Sequence, residues 1–314
     1  MQPAFSVIFL TTLIGAAQGL FLALYGTEIS GLGGLAPADS QRFLFAGNGV
    51  ALVLTGLGLF ASFFHLGRPE RAWRSAAMWR TSWLSREVIV LPLFMLGLFL
   101  YGGAHFLGLS GSTVLIGAAV AMVCLALFVC TAMIYASVRF LQEWASPLTL
   151  VNYLLLGCAS GLTLATLLAA VLGMSTLVVP YASAAVVLTL LALITRSASL
   201  VRNARLKPKS TLQSAIGVKH PRIVQKAQGF MGGSFNTREF FHGRSAAVLR
   251  SVKWAFLLMV FPLPLLCLAV GVNASSTGML GAAFALQYVG LLAERWFFFA
   301  QANHPQNLYY QTIS

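Results

Sequence analysis

The chain has 314 residues, of which 58% are hydrophobic and 9% charged, and its mean hydropathy is +0.83. Soluble domains carry about 25% charged residues, so this composition excludes an ordinary water-soluble enzyme and indicates an integral membrane protein. A formal net charge of +13 would suggest nucleic acid in a soluble protein. Here no nucleic-acid partner is expected, and the question becomes which side of a bilayer holds the basic residues.

A hydrocarbon core about 30 Å thick takes roughly 20 mostly apolar helical residues per span. Eight stretches meet that need: 5–25, 43–64, 87–106, 114–136, 151–171, 181–201, 254–272 and 277–299. The expected fold is therefore all-α, a single membrane domain over 1–314 built as a bundle of eight transmembrane helices. Punctuation falls between the spans, at Gly31, Gly33, Gly34 and Pro37, at Gly67 and Pro69, at Gly108 and Gly111, at Pro147, and at Gly173 and Pro180. No Lys or Arg precedes Arg42, and the first apolar stretch is longer than that of a signal peptide, so it reads as a retained span. Pro262 and Pro264 predict a kink in the seventh span.

An even number of spans puts both termini on one face, with the connections after spans two, four and six. That face takes Arg68, Arg71, Arg74, Arg80, Arg86, Arg139, Arg295 and the basic stretch from Arg196 to Lys253, leaving only Arg42 opposite. The positive-inside rule then places both termini and the long basic loop, 202–253, in the cytoplasm. Holding that orientation against anionic lipid is sufficient reason for the loop's charge. Docking a partner is an added role open to Arg74, Arg80, Arg238 and Arg244.

Polar chemistry concentrates at one membrane depth, in His65-Leu-Gly-Arg68-Pro-Glu70-Arg71-Ala-Trp73-Arg74 and Thr81-Ser82-Trp83-Leu84-Ser85-Arg86-Glu87. Pro69 suits the first turn of a short helix, and Trp73 with the arginines marks that helix as interfacial. A quinone exchanges two electrons and two protons, so it needs protonatable partners near one surface. His65, ending span two, can donate and accept near neutrality, and Glu87, opening span three at the same level, can carry the second proton. Arg68, Arg71 or Arg86 can keep that carboxyl ionised or steady a reduced quinone anion. The plainer alternatives are an interfacial histidine and a glutamate favouring a helix N-terminus capped by Ser82 or Ser85.

Cys124, Cys130, Cys158 and Cys267 all lie inside apolar runs without metal-ligand spacing, so they read as packing residues and no metal or iron–sulfur cluster is expected. His105 lies 18 residues after Glu87, about 27 Å along a helix at 1.5 Å per residue. It cannot clamp one haem with His65, and no haem is expected. His220, His242 and His304 read as solvated loop or tail residues. Gln18, Glu28, Asn48, Asn152, Gln287 and Glu294 are scattered polar groups; Glu294 has Arg295 beside it, and Arg139 with Glu143 reads as an i,i+4 pair. No continuous polar chain crosses the bilayer, which counts against an ion channel or pump. The apolar midplane counts against a transporter.

The eight-span layout, with His-Leu-Gly-Arg-Pro at 65–69 and Thr-Ser-Trp-Leu-Ser-Arg-Glu at 81–87, resembles the membrane anchor subunit of dimethyl sulfoxide reductase-type molybdoenzymes. The segment Gly232 to Gly243 is similar to the same family. The resemblance implies an anchor in the bacterial inner membrane with no redox centre of its own. Its partners would be an iron–sulfur subunit and a molybdopterin catalytic subunit, with ubiquinone or menaquinone bound near His65 and Glu87 and with Ser82, Trp83 and the arginines in support. The basic face, looking inward, favours the sulfite-oxidising branch over reductase anchors that oxidise menaquinol at the outer face. A purely structural tether is the remaining reading.

Overall fold

Inside a bilayer only a helix or a closed barrel satisfies its own backbone, and the apolar runs of this chain form helices. A computed structural model describes residues 1–109, 111–224, 226, 241–305 and 307. It contains α1 (Phe5–Ser30), α2 (Pro37–Ser62), α3 (Trp83–Phe106), α4 (Thr113–Ala136), α5 (Pro147–Val171) and α6 (Ser175–Ala204). A short α7 (Leu212–Ile216) follows, then α8 (Ala246–Val260), α9 (Pro262–Asn273) and α10 (Thr277–Ala300). The described residues contain no strand.

Among the described residues, seven helices are long and apolar enough to cross a membrane, with α8 and α9 together making one of them. The eighth expected span, α10, is 24 residues long and carries Gln287, Glu294 and Arg295 within it, and it is not among those seven. Several helices run beyond the apolar stretches that announced them, because interfacial polar residues continue the hydrogen-bond ladder. The seventh span begins at Ala246 rather than near 254, with the Ser245 hydroxyl accepting from the Val248 N–H. The residues 246–253 are thus helix rather than loop, and Arg196, counted above with the basic loop, lies within α6.

α1 and α5 are the most buried helices and form the centre. Each carries two glycines four residues apart: Gly15 and Gly19 on α1, Gly157 and Gly161 on α5. A Cβ at Gly19 would collide with the Gly157 carbonyl, and one at Gly161 with the backbone of Gly19 and Leu20. These paired small residues let the two backbones touch, which is how helices associate where lipid removes the hydrophobic drive. The expected kink is present: Phe261, at φ −112° and ψ −81°, separates α8 from α9. Pro264 has no N–H for the Val260 carbonyl, and Gln287 Nε2 on α10 reaches that oxygen at 3.5 Å.

The first and last helices meet at one end. Ile8 packs with Phe298, Phe299 and Ala302, and the Met1 amine donates to the Ala302 carbonyl at 2.7 Å. The connection between α2 and α3 emerges at this end too, as tight turns at Phe63–His65 and Pro69–Met78, the first of them packed against α1.

Candidate functional site: a buried carboxyl beneath a basic loop

Pro69 opens the Pro69–Met78 segment at its first turn, as its fixed φ favours. The side chains there face outward: Arg68, Arg71, Arg74, Arg80 and His65 are exposed, as are Phe64, Trp73, Met78 and Trp79. Arg71 lies 3.9 Å from Glu70 with both groups solvated, an ion pair of little energetic consequence. Arg86 has a defined structural task. Its Nε donates to the Trp79 carbonyl at 2.9 Å and its Nη2 to that of Arg80 at 2.8 Å, while the guanidinium stacks on Trp83. It buckles the end of the loop to the first turn of α3.

Ser82 caps α3 by accepting from the Ser85 N–H, and Glu87 sits five residues past that cap, beyond the first turn. A helix-dipole role for Glu87 therefore fails, since that field falls off within the first turn. The carboxyl instead points into the bundle, 7% exposed, and accepts a short hydrogen bond from the Thr131 hydroxyl of α4. No Arg, Lys or His side chain forms an ion pair with it among the described residues. It borders a cavity of about 30 Å³ whose polar lining includes Thr11, Thr12, Gln18, Tyr153, Ser160 and Arg295. One water needs roughly 10–15 Å³ by this measure, so the space suits two waters and no quinone ring. Gly15 and Gly157 border it as well, so the close α1–α5 contact shapes one wall.

Behind this cavity lies a second, of about 10 Å³, which shares Tyr153 and Arg295 with the first. Its wall holds a buried charge cluster. Arg196 Nε is 2.7 Å and Arg295 Nε 2.8 Å from the two oxygens of Glu294. Arg295 also lies 3.9 Å from the centre of the Tyr153 ring. Asn152 bridges α5 to α6, donating to Ser199 at 2.8 Å and accepting from Thr195 at 2.7 Å.

The sequence-level site is therefore divided. His65 stands exposed at the foot of α2 and Glu87 lies inside, and no hydrogen bond or ion pair joins them. Arg68, Arg71 and Arg86 do not reach the carboxyl; the charged group bordering its cavity is Arg295, from the far end of the sequence. Arg74, Arg80 and Arg244 are exposed, while Arg238 lies outside the described residues, as does most of the Gly232 to Gly243 segment. Three other expectations change. Arg139 and Glu143 fall in a non-helical turn and form no ion pair. His242 is buried, 6.4 Å from the Trp296 ring, rather than solvated. Glu294 has a second partner in Arg196, which is 2% exposed.

Sequence reasoning passed over Thr131, Tyr153, Arg196 and the role of Arg295. The available signal was Arg196 itself, a charge inside an apolar run at a depth that Glu294 matches. Elsewhere the polar groups have local tasks. Gln18 donates to the Cys124 carbonyl and Asn48 to that of Leu98. Glu28 accepts from Tyr101 and lies 3.5 Å from His105 at the opposite end of the bundle. All four cysteines are free thiols; Cys124 and Cys130 are buried, Cys158 and Cys267 half-buried. No three metal-ligating side chains converge among the described residues.

A chain of long apolar helices that holds ionisable groups in its interior is an integral membrane protein. The chain belongs to the DMSO reductase anchor subunit (DmsC) family, whose sequence profile matches residues 1–301. It is 55% identical, over an aligned length of 326 residues covering 100% of both chains, to a sulfite dehydrogenase subunit of Allochromatium vinosum. As an anchor subunit it implies catalytic partner subunits.

Proposed function

We propose that this chain is the quinone-reactive membrane anchor of a sulfite-oxidising molybdoenzyme, passing electrons from an iron–sulfur partner to membrane quinone. On this reading α10 is an eighth span, and both ends and the basic loops face the cytoplasm, where the iron–sulfur and molybdopterin subunits dock on Arg74, Arg80, Arg238 and Arg244. The association of α1 with the end of α10 supports an even number of spans. The likeness to a sulfite dehydrogenase subunit of Allochromatium vinosum favours sulfite as the substrate of the complex.

The observation that carries the quinone assignment is the contrast between two buried acids. Glu294 is bracketed by two guanidinium groups, as a structural carboxyl is. Among the described residues, Glu87 has a threonine hydroxyl and a water-sized cavity and no ion-pair partner. An unpaired ionisable group at membrane depth is retained against a desolvation cost, and proton exchange is the function it serves best.

A quinone, when bound, supplies two-electron, two-proton redox chemistry. The inner cavity is too small for its ring, because small-molecule sites run to about 300 Å³ or more. The headgroup instead fits at the outer foot of α2, where exposed His65 stands among Phe60, Phe63 and Phe64, a surface an isoprenoid tail can follow into lipid. There the imidazole hydrogen-bonds a carbonyl oxygen and moves one proton, the loop arginines attract negative charge, and Glu87 holds a proton in reserve behind them.

Replacing His65 with Leu in the intact complex tests this. We expect sulfite-dependent quinone reduction to fall about 10²-fold or more, while sulfite oxidation with a soluble artificial acceptor is retained. A structural tether predicts no change in either rate.

A further inference from the structure

We infer that the two small cavities form a one-sided proton route, linking Glu87 to the basic face of the protein through Tyr153. The inference rests on the quinone reading and adds the path by which the protons arrive.

Four observations point to it. The cavities are contiguous in their lining, since Tyr153 and Arg295 belong to both. The Tyr153 hydroxyl, Arg295 Nη1 and Arg196 Nη2 are all buried with no hydrogen bond of good geometry among the described residues, and the hydroxyl has Tyr135 and the Arg295 guanidinium as its polar neighbours. Buried polar atoms of that kind are satisfied by ordered water, and volumes of about 30 and 10 Å³ have room for it. The outer cavity reaches the surface at half-buried Glu143, Arg202 and Asn203, where Arg202 ties α6 to the Gln142 and Ala145 carbonyls. Finally, the far half of the bundle is closed by fully buried Leu20, Phe21, Leu24, Phe94 and Leu98. These apolar side chains stand between the inner cavity and the far end of the bundle, so the route opens toward the basic face.

The step balances simply. For each proton Glu87 gives up toward the quinone, its carboxylate takes one from water in the inner cavity. The Tyr153 hydroxyl passes a proton inward as it accepts another from the outer cavity. Only O–H bonds are made and broken, and no electron moves. The titratable and charged groups around Glu87 are Arg295 from α10, Tyr153 from α5, and Cys130 and Tyr135 from α4, with Arg86 on its own helix. From α1 come only the uncharged Thr11, Thr12 and Gln18.

Tyr153→Phe keeps the ring beneath Arg295 and removes the hydroxyl. In the complete complex held in vesicles, quinone reduction should fall about 10²-fold, as loss of a positioned proton donor does. The deficit should deepen as pH rises and protons become scarcer, and the solvent isotope effect should grow. The rate with an artificial acceptor that bypasses quinone should match the parent. Should that variant not assemble, Ser199→Val, which narrows the outer cavity, carries the same expectation. A parent-like rate and pH profile in both variants, with Glu87→Gln inactive, overturns the route and leaves the quinone reading standing. Parent-like quinone reduction in both Glu87→Gln and His65→Leu overturns the quinone reading itself.

Discussion

Glu87 and Glu294 show how environment assigns roles to the same side chain. Both are buried, yet one faces two arginines and the other a threonine. Removing one partner of a buried ion pair costs about 3–5 kcal/mol, because the remaining charge is left uncompensated. Glu294→Gln should therefore lower the stability of the purified protein by that order, read as a fall in its thermal unfolding midpoint in detergent. Glu87→Gln strands no charge and should leave the midpoint near the parent value while stopping quinone reduction. The sequence alone marked both acids as membrane-embedded but misjudged their company. Sequence proximity pairs Glu87 with the loop arginines, whereas the helix phase turns it away from them toward Thr131 of α4 and the inner cavity. Such facing depends on which helices pack together, and one sequence carries little of that information. His242 illustrates the same limit from the other side: a histidine in a basic stretch reads as solvated until Trp296 is found near it.

Among the elements, the α1–α5 contact sets the geometry on which the cavity depends. Both glycine pairs are visible in the sequence as small residues at a spacing of four, although only their mutual approach shows that they meet. Gly161→Ala forces a Cβ against the backbone of Gly19, an overpacking change that costs about 1–3 kcal/mol. The same unfolding measurement should show it, and the inner cavity should distort with it, slowing quinone reduction. At the α8–α9 break, Gln287→Leu removes the donor that serves the Val260 carbonyl, a loss of about 1–3 kcal/mol for a buried unsatisfied acceptor. Pro264→Ala in the same chain supplies the missing N–H and should return part of the stability. The kink itself was legible from the two prolines. Helix ends were less so, because an apolar run records where lipid lies rather than where the hydrogen-bond ladder stops, and α8 begins well before its apolar run.

At the scale of the whole chain, composition and charge distribution carried the membrane class, the helix order and the expected orientation. A cysteine introduced at Arg74 or Arg244 should react with an impermeant thiol reagent only from the cytoplasmic side of cells or inverted vesicles, and one at Asp39 only from the other side. The reverse pattern would place the basic face outward and remove the support that orientation gives to cytoplasmic partners. The claim on which the account depends is that quinone engages the foot of α2 and the start of α3. A photoreactive quinone, illuminated with the complete complex in vesicles and followed by peptide mapping, tests it most directly. The account predicts labelling within residues 60–87 that excess natural quinone abolishes and that His65→Leu reduces. Competable labelling on another helix, or none above background, would contradict it.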